Sequence, residues 1–177
     1  MSNAQYLASL VNSSGNIVIP VANGGIVFNN TNTTASPTST TQNDYETGTW
    51  TPACYFNGSA SSGQTGSFNG FYTKVGNSVV ATGKIDITNL GSGTGNFTII
   101  GLPFSANSNS NFRATGTMFW SSTASSFVTI VPLLTTSGTT LEILGATSAS
   151  NGLSDLTNSN LNNSTSLRFA ISYIASF

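Results

Sequence analysis

SVVATGKIDIT, residues Ser78–Thr88, carries the clearest alternation in the chain. Val79, Ala81, Gly83, Ile85 and Ile87 recur at every second position, and Val80, Thr82, Lys84, Asp86 and Thr88 fill the positions between. Side chains alternate across a strand with period two, so this run reads as a β-strand with one apolar face and one polar face. Lys84 and Asp86 then belong to the outer face. A helix would scatter the same apolar residues around its axis.

Both flanks carry turn chemistry. Upstream, Gly76-Asn77 sits between two alternating runs as a two-residue hairpin turn. Downstream, NLGSGTGN (residues 89–96) is a longer Gly-rich loop of the hairpin kind. The same pattern repeats along the chain and predicts about eight strands, near Thr49–Phe56, Phe68–Val75, Ser78–Thr88, Asn96–Gly101, Phe112–Trp120, Phe127–Leu134, Thr139–Leu144 and Ser166–Ala175. In the last of these, Leu167, Phe169, Ile171, Tyr173 and Ala175 share a face, and Arg168 takes the opposite one. No segment shows sustained helical periodicity; residues 149–163 have room for one helical turn but read as loop. Composition agrees: 38% of the 177 residues are hydrophobic and only 5% are charged, so strong helix formers such as Lys, Glu and Arg are scarce. The expected fold class is an all-β antiparallel sandwich.

The segment before residue 44 differs. It holds two short apolar runs, NIVIPV at Asn16–Val21 and GGIVF at Gly24–Phe28, followed by the polar tract Asn29–Asn43. Ile17, Val18, Ile19, Val21, Ile26, Val27 and Phe28 are too few and too local to form a core of their own. Apolar runs tethered to a flexible tract bury themselves against other chains, so these residues are expected to anchor the protein to a partner or form a shared stem. The predicted organisation is an extended N-terminal arm, 1–43, and a β-sandwich, 44–177. DYETGTWTP, Asp44–Pro52, joins them, with Asp44, Tyr45, Glu46, Trp50 and Pro52 as joint residues and Trp50 as the first core residue.

Composition also restricts the chemistry. The four basic side chains, Lys74, Lys84, Arg113 and Arg168, are dispersed and the formal net charge is −1, which argues against nucleic-acid binding. No apolar run approaches the length of a membrane span, and Met1–Leu10 lacks the charged and apolar regions of a secretion leader. There is no His. Asp44 and Glu46 would share a strand face, as a glycosidase-like carboxylate pair could, but they have few supporting polar groups and read as polar anchors. The other acids are isolated in sequence, and no loop has calcium-binding spacing; no metal, cofactor or catalytic residue is expected. Cys54 reads as a buried thiol. Trp50, Trp120, Tyr55, Tyr72 and Phe119 could each stack on a sugar ring if exposed, although aromatics on alternating strands usually belong to the core.

The series GGIVF, DYETGTWTP, GFYTKVGNSVVATGKIDIT, FTIIGLPF and SLRFAISYIASF resembles a recurring arrangement in virion proteins of tailed bacteriophages, the head domain of tail fibres and related appendages. Asp44-Tyr45-Glu46 with Gly48–Pro52 matches that family's entry segment, Tyr72–Asn77 its second-strand hairpin and Gly101–Phe104 its strand exit. The family's usual second acid is Thr47 here.

The resemblance implies a homotrimeric, jelly-roll-like sandwich on a thinner stem, carried on the virion exterior. The expected function is a non-enzymatic tail fibre or receptor-binding appendage. Its arm would hold another virion protein, of the tail, baseplate or capsid, and its partners could include a host cell-surface glycan. The alternatives are a capsid decoration protein, either cement or head fibre, and a glycan-degrading spike using Asp44 and Glu46.

Overall fold

The structure, a computed structural model, describes residues 26–27, 41–42, 44–109, 111 and 113–176. The chain divides into two units, Met1–Tyr45 and Glu46–Phe177. In the first, β1 (Ile26–Val27) pairs antiparallel with β2 (Thr41–Gln42), Ile26 opposite Gln42 and Val27 opposite Thr41. Ile17, Val18, Ile19, Val21 and Phe28, and most of the polar tract, lie outside the described residues.

The remaining strands are β3 (Tyr45–Trp50), β4 (Ala53–Phe56), β5 (Ser59–Ala60), β6 (Thr65–Val75), β7 (Ser78–Asn89), β8 (Phe97–Ile100), β9 (Ala114–Ser121), β10 (Thr129–Leu134), β11 (Leu141–Ala146), β12 (Ser154–Asp155) and β13 (Ser166–Ile174). They form one antiparallel sheet with the order β3-β6-β7-β13-β9-β10-β11-β8-β4-β5, and β12 adds to β11. The sheet turns a corner between β9 and β10, which pair only at Thr115–Leu133 and Ala114–Leu134. Inner side chains from both halves belong to one core: Val79, Ile85, Leu167 and Ile171 from the β3-to-β9 half, Ile99, Ile130, Leu141 and Ile143 from the β10-to-β5 half. Two halves that share a core face each other, and the architecture is the expected all-β sandwich.

β7 has the alternation its sequence requires: Val79, Ala81, Ile85 and Ile87 are buried while Val80, Thr82 and Thr88 are exposed. β13 lies beside it in register, Arg168 opposite Lys84 and Phe169 opposite Gly83. Each buried Ile, Leu or Phe contributes roughly 1.5–3 kcal/mol relative to exposure, so these two long strands are the centre of the stabilising face. Gly76-Asn77 closes the β6–β7 hairpin as a two-residue turn, with Val75 opposite Ser78.

Two local expectations are corrected. The single strand expected over Thr49–Phe56 is two strands on opposite halves: β3 pairs with β6, β4 with β8. Buried Pro52 lies between them, where the missing N–H cannot support a continuous ladder. The Gly-rich loop at 89–96 is no hairpin, because β7 and β8 belong to different halves. It crosses the sandwich, held by Gly93 N–H to Ser61 Oγ at 2.8 Å and Gly95 N–H to Asn158 Oδ1 at 2.9 Å. The helical turn that residues 149–163 could hold is a 3-10 turn at Asn158–Asn160.

Candidate functional site

Trp50 ends β3 and is 9% exposed. Its ring lies over Gly70 of β6, where any β-carbon would fall inside the indole. The Nε1–H donates to the Thr82 carbonyl of β7 at 3.1 Å. Gly83, the register partner of Gly70, is covered in the same way by the Phe169 ring of β13. The two rings meet edge to face, with centroids 6.1 Å apart at 69°. Paired glycines on β6 and β7 thus open a slot that two aromatic rings, from β3 and β13, fill.

The other joint residues lie close by in sequence. The Tyr72 hydroxyl of β6 donates to Glu46 Oε1 at 2.5 Å. That carboxylate beside the phenol pushes the Tyr72 pKa up, with desolvation adding to it. Tyr72 packs edge to face on Phe104, centroids 5.3 Å apart, and Lys74 Nζ stands 5.2 Å from the same ring centroid. The Tyr173 hydroxyl donates to the Phe104 carbonyl at 2.9 Å, and burial pushes its pKa up to about 12. Residues of DYETGTWTP, GFYTKV, GLPF and SYI therefore meet in one polar-aromatic cluster, although they are far apart in sequence. Tyr45 is exposed, Asp44 half-buried and Pro52 buried. Glu46 is engaged by a phenol, which is a positioning contact.

A second concentration of chemistry lies on the outer face of β6, β7, β13 and β9. Asp86 accepts from Arg168 Nη1 at 2.7 Å and Nη2 at 3.3 Å, from Ser166 Oγ at 2.7 Å, and pairs with Lys84 Nζ at 2.8 Å. The Arg168 guanidinium, helped by Lys84 and Ser166, holds the Asp86 carboxyl well below the usual carboxylate range. Phe71 is 65% exposed and Phe119 is 62% exposed on this face. A groove of about 400 Å³ is lined by Asn69, Phe71, Thr82, Lys84 and Arg168 together with strand backbone.

Of the aromatics that the sequence offered for sugar stacking, the structure buries Trp50, leaves Tyr55, Tyr72 and Trp120 partly covered, and exposes Phe119. Phe71 was missed. It shares its parity with Ser67, Asn69 and Thr73, opposite to Phe68 and Tyr72, and that alternation is the signal that could have placed it on the outer face. Cys54 is buried, which pushes its thiol up to about 12. Among the described residues there is no group of three or more His, Cys, Asp or Glu side chains able to hold a metal ion. A further groove of about 460 Å³ lies among the loops near Phe127 and Asp155. There Asp155 accepts from Asn96 Nδ2 at 2.7 Å.

No protein-family model matches the chain, and no curated protein matches it in sequence. Among solved structures, the Dettilon tailspike protein (gp208) shares the fold over 75% of this chain, with a TM-score of 0.59 and 18% sequence identity. This chain spans 24% of that protein's length, so the likeness is to one portion of it.

Proposed function

We propose that the chain is a non-enzymatic structural protein of a tailed-bacteriophage particle, a homotrimeric tail fibre or receptor-binding appendage. Residues 44–177 form the displayed sandwich, and residues 1–43 anchor it to another virion protein. The observation that carries this reading is the fold shared with a portion of a tailspike protein. The convergence of the separate sequence motifs on Glu46, Tyr72, Phe104 and Tyr173 supports it, since the series that suggested an appendage also builds the joint of the sandwich.

The non-enzymatic part rests on the Glu46 carboxylate, which is engaged by the Tyr72 hydroxyl and so acts as an anchor for β6 against β3. Three-fold assembly gives the isolated apolar runs at Asn16–Val21 and Gly24–Phe28 a place to be buried together. Low charge suits a surface outside the cell, where neutral hydrogen bonds depend little on salt.

Antibody labelling of intact particles with serum raised against the full chain tests this reading. Label at the tail is the expected result. Label spread over the head would assign the protein to capsid decoration instead. Particles without the protein would remove the virion assignment.

A further inference from the structure

Phe71 and Phe119 stand at the two sides of one exposed sheet face, on β6 and β9, with β7 and β13 between them. Register puts Phe71, Thr82, Ala170 and Thr117 in one row across the four strands, and Asn69, Lys84, Arg168 and Phe119 in the next. Three strand spacings of about 4.8 Å and a two-residue step between rows put the two residues roughly 16 Å apart. The row between them is low, made of Thr82, Ala170 and Thr117, and the adjacent row raises Lys84 and Arg168 beside it. A second groove of about 380 Å³ lies next to the one at Phe71 on the same face, lined by Thr115, Thr117, Ala170 and Ser172 with strand backbone. Two neighbouring grooves, with the Phe71 ring lining the first and the Phe119 ring exposed in the adjacent row, fit a chain of several linked rings better than a single small molecule.

Charge selects the kind of chain. Lys84 and Arg168 are the titratable side chains of these two rows, and Asp86 stands in the next row with Ser67, Ser166 and Ser121. One carboxylate between two cations leaves the face with a formal charge of +1, in a chain whose overall charge is −1. Asp86 fixes the Arg168 guanidinium in place through both terminal nitrogens. Lys84 gives Asp86 one contact and has further N–H donors on its ammonium. Large aromatic rings exposed together around fixed charges mark a binding face more than a solvated one.

We infer that this face binds an acidic oligosaccharide laid across β6, β7, β13 and β9, with sugar rings against Phe71 and Phe119 and a carboxylate on Lys84 and Arg168. The inference deepens the receptor-binding reading and rests on it for the biological source of the sugar.

The test uses the full chain and short oligosaccharides bearing glucuronate, galacturonate, mannuronate or sialate, each paired with its carboxyl-reduced neutral form, measured by calorimetry at low and high salt. At least one acidic member is expected to bind about tenfold or more tighter than its neutral form, and to weaken as salt rises. Phe71→Ser, Phe119→Ser and Lys84→Gln should each weaken that binding about tenfold while leaving the melting temperature nearly unchanged, because all three side chains project from the outer face. No acidic member preferred over its neutral form would overturn the inference, as would a preference that survives in a Phe71→Ser, Lys84→Gln double variant. Loss of oligomeric state in the Phe71→Ser, Phe119→Ser double variant, with sugar binding intact, would assign the face to assembly. Phage carrying the double variant separates the two levels: protein present on particles that adsorb normally sinks this site and leaves the appendage reading standing, whereas protein absent from wild-type particles sinks the appendage reading and leaves the calorimetry to judge the site.

Discussion

The Trp50 indole N–H donates to the Thr82 carbonyl at 3.1 Å, reaching across β6 to a strand that Trp50 does not pair with. It can do so because Gly70 lies under the ring. The contact ties the edge strand β3 to the central strand β7, at the point where Pro52 sends the chain to the other half of the sandwich.

Trp50→Ala should therefore destabilise the sandwich by about 3–5 kcal/mol, through lost burial and the cavity left beside Phe169. Trp50→Phe keeps most of the packing and loses the hydrogen bond, which costs about 1 kcal/mol. Urea melts of the two variants check the order; equal effects would show that packing contributes nothing beyond the bond.

Gly70→Ala and Gly83→Ala make the complementary prediction. Each adds a single methyl where a ring already sits, so each should destabilise by about 1–3 kcal/mol through overpacking. On an ordinary strand position the same change is neutral or stabilising. A melt that rises in either variant would contradict the slot.

Alkali should unfold the protein through its buried phenol and thiol. The native pKa values of Tyr72, Tyr173 and Cys54 are all raised, so the folded state keeps protons that the unfolded state releases. Their stabilisation is complete below the unfolded values of about 8.5 for Cys and 10 for Tyr, and is lost as pH rises through the native ones. For Tyr173 and Cys54 the native value is about 12. Thermal melts from neutral pH upward should fall across that window. Tyr173→Phe should flatten the fall, and an unchanged slope would contradict the assignment.

Acid acts through Asp86 with the opposite sign. Its native pKa is lowered, chiefly by Arg168, so its stabilisation is present above the unfolded value of about 3.9 and is lost as pH falls through the native one. The carboxylate is partly exposed, which makes the effect modest and sensitive to salt. Asp86→Asn should melt lower than wild type at neutral pH and converge with it in acid; parallel curves would contradict the linkage.

Much of the sandwich was legible because strand alternation is a local signal. Ser78–Thr88 and Ser166–Ala175 declared their buried faces residue by residue, and Lys84, Asp86 and Arg168 were assigned to the outer side by the same rule. What the sequence concealed was non-local. The partner strand of each run depends on which half of the sheet it joins, so the crossover at 89–96 looked like a hairpin and the corner at Pro52 looked like one strand. Alternation with Asn69 and Thr73 puts Phe71 on the outer face, but whether that face is covered depends on what packs over β6, which is not a local signal. The joint residues Glu46 and Trp50 were recognisable, but their partners Tyr72, Gly70 and Thr82 emerged only from the fold.

Display of this sandwich on a phage particle is tested by cryo-electron microscopy of the intact virion. Density for three copies of the Glu46–Phe177 sandwich around a three-fold axis on the tail is the expected result. A reconstruction in which the protein is absent from the tail, or present there only as single unassociated copies, would contradict it.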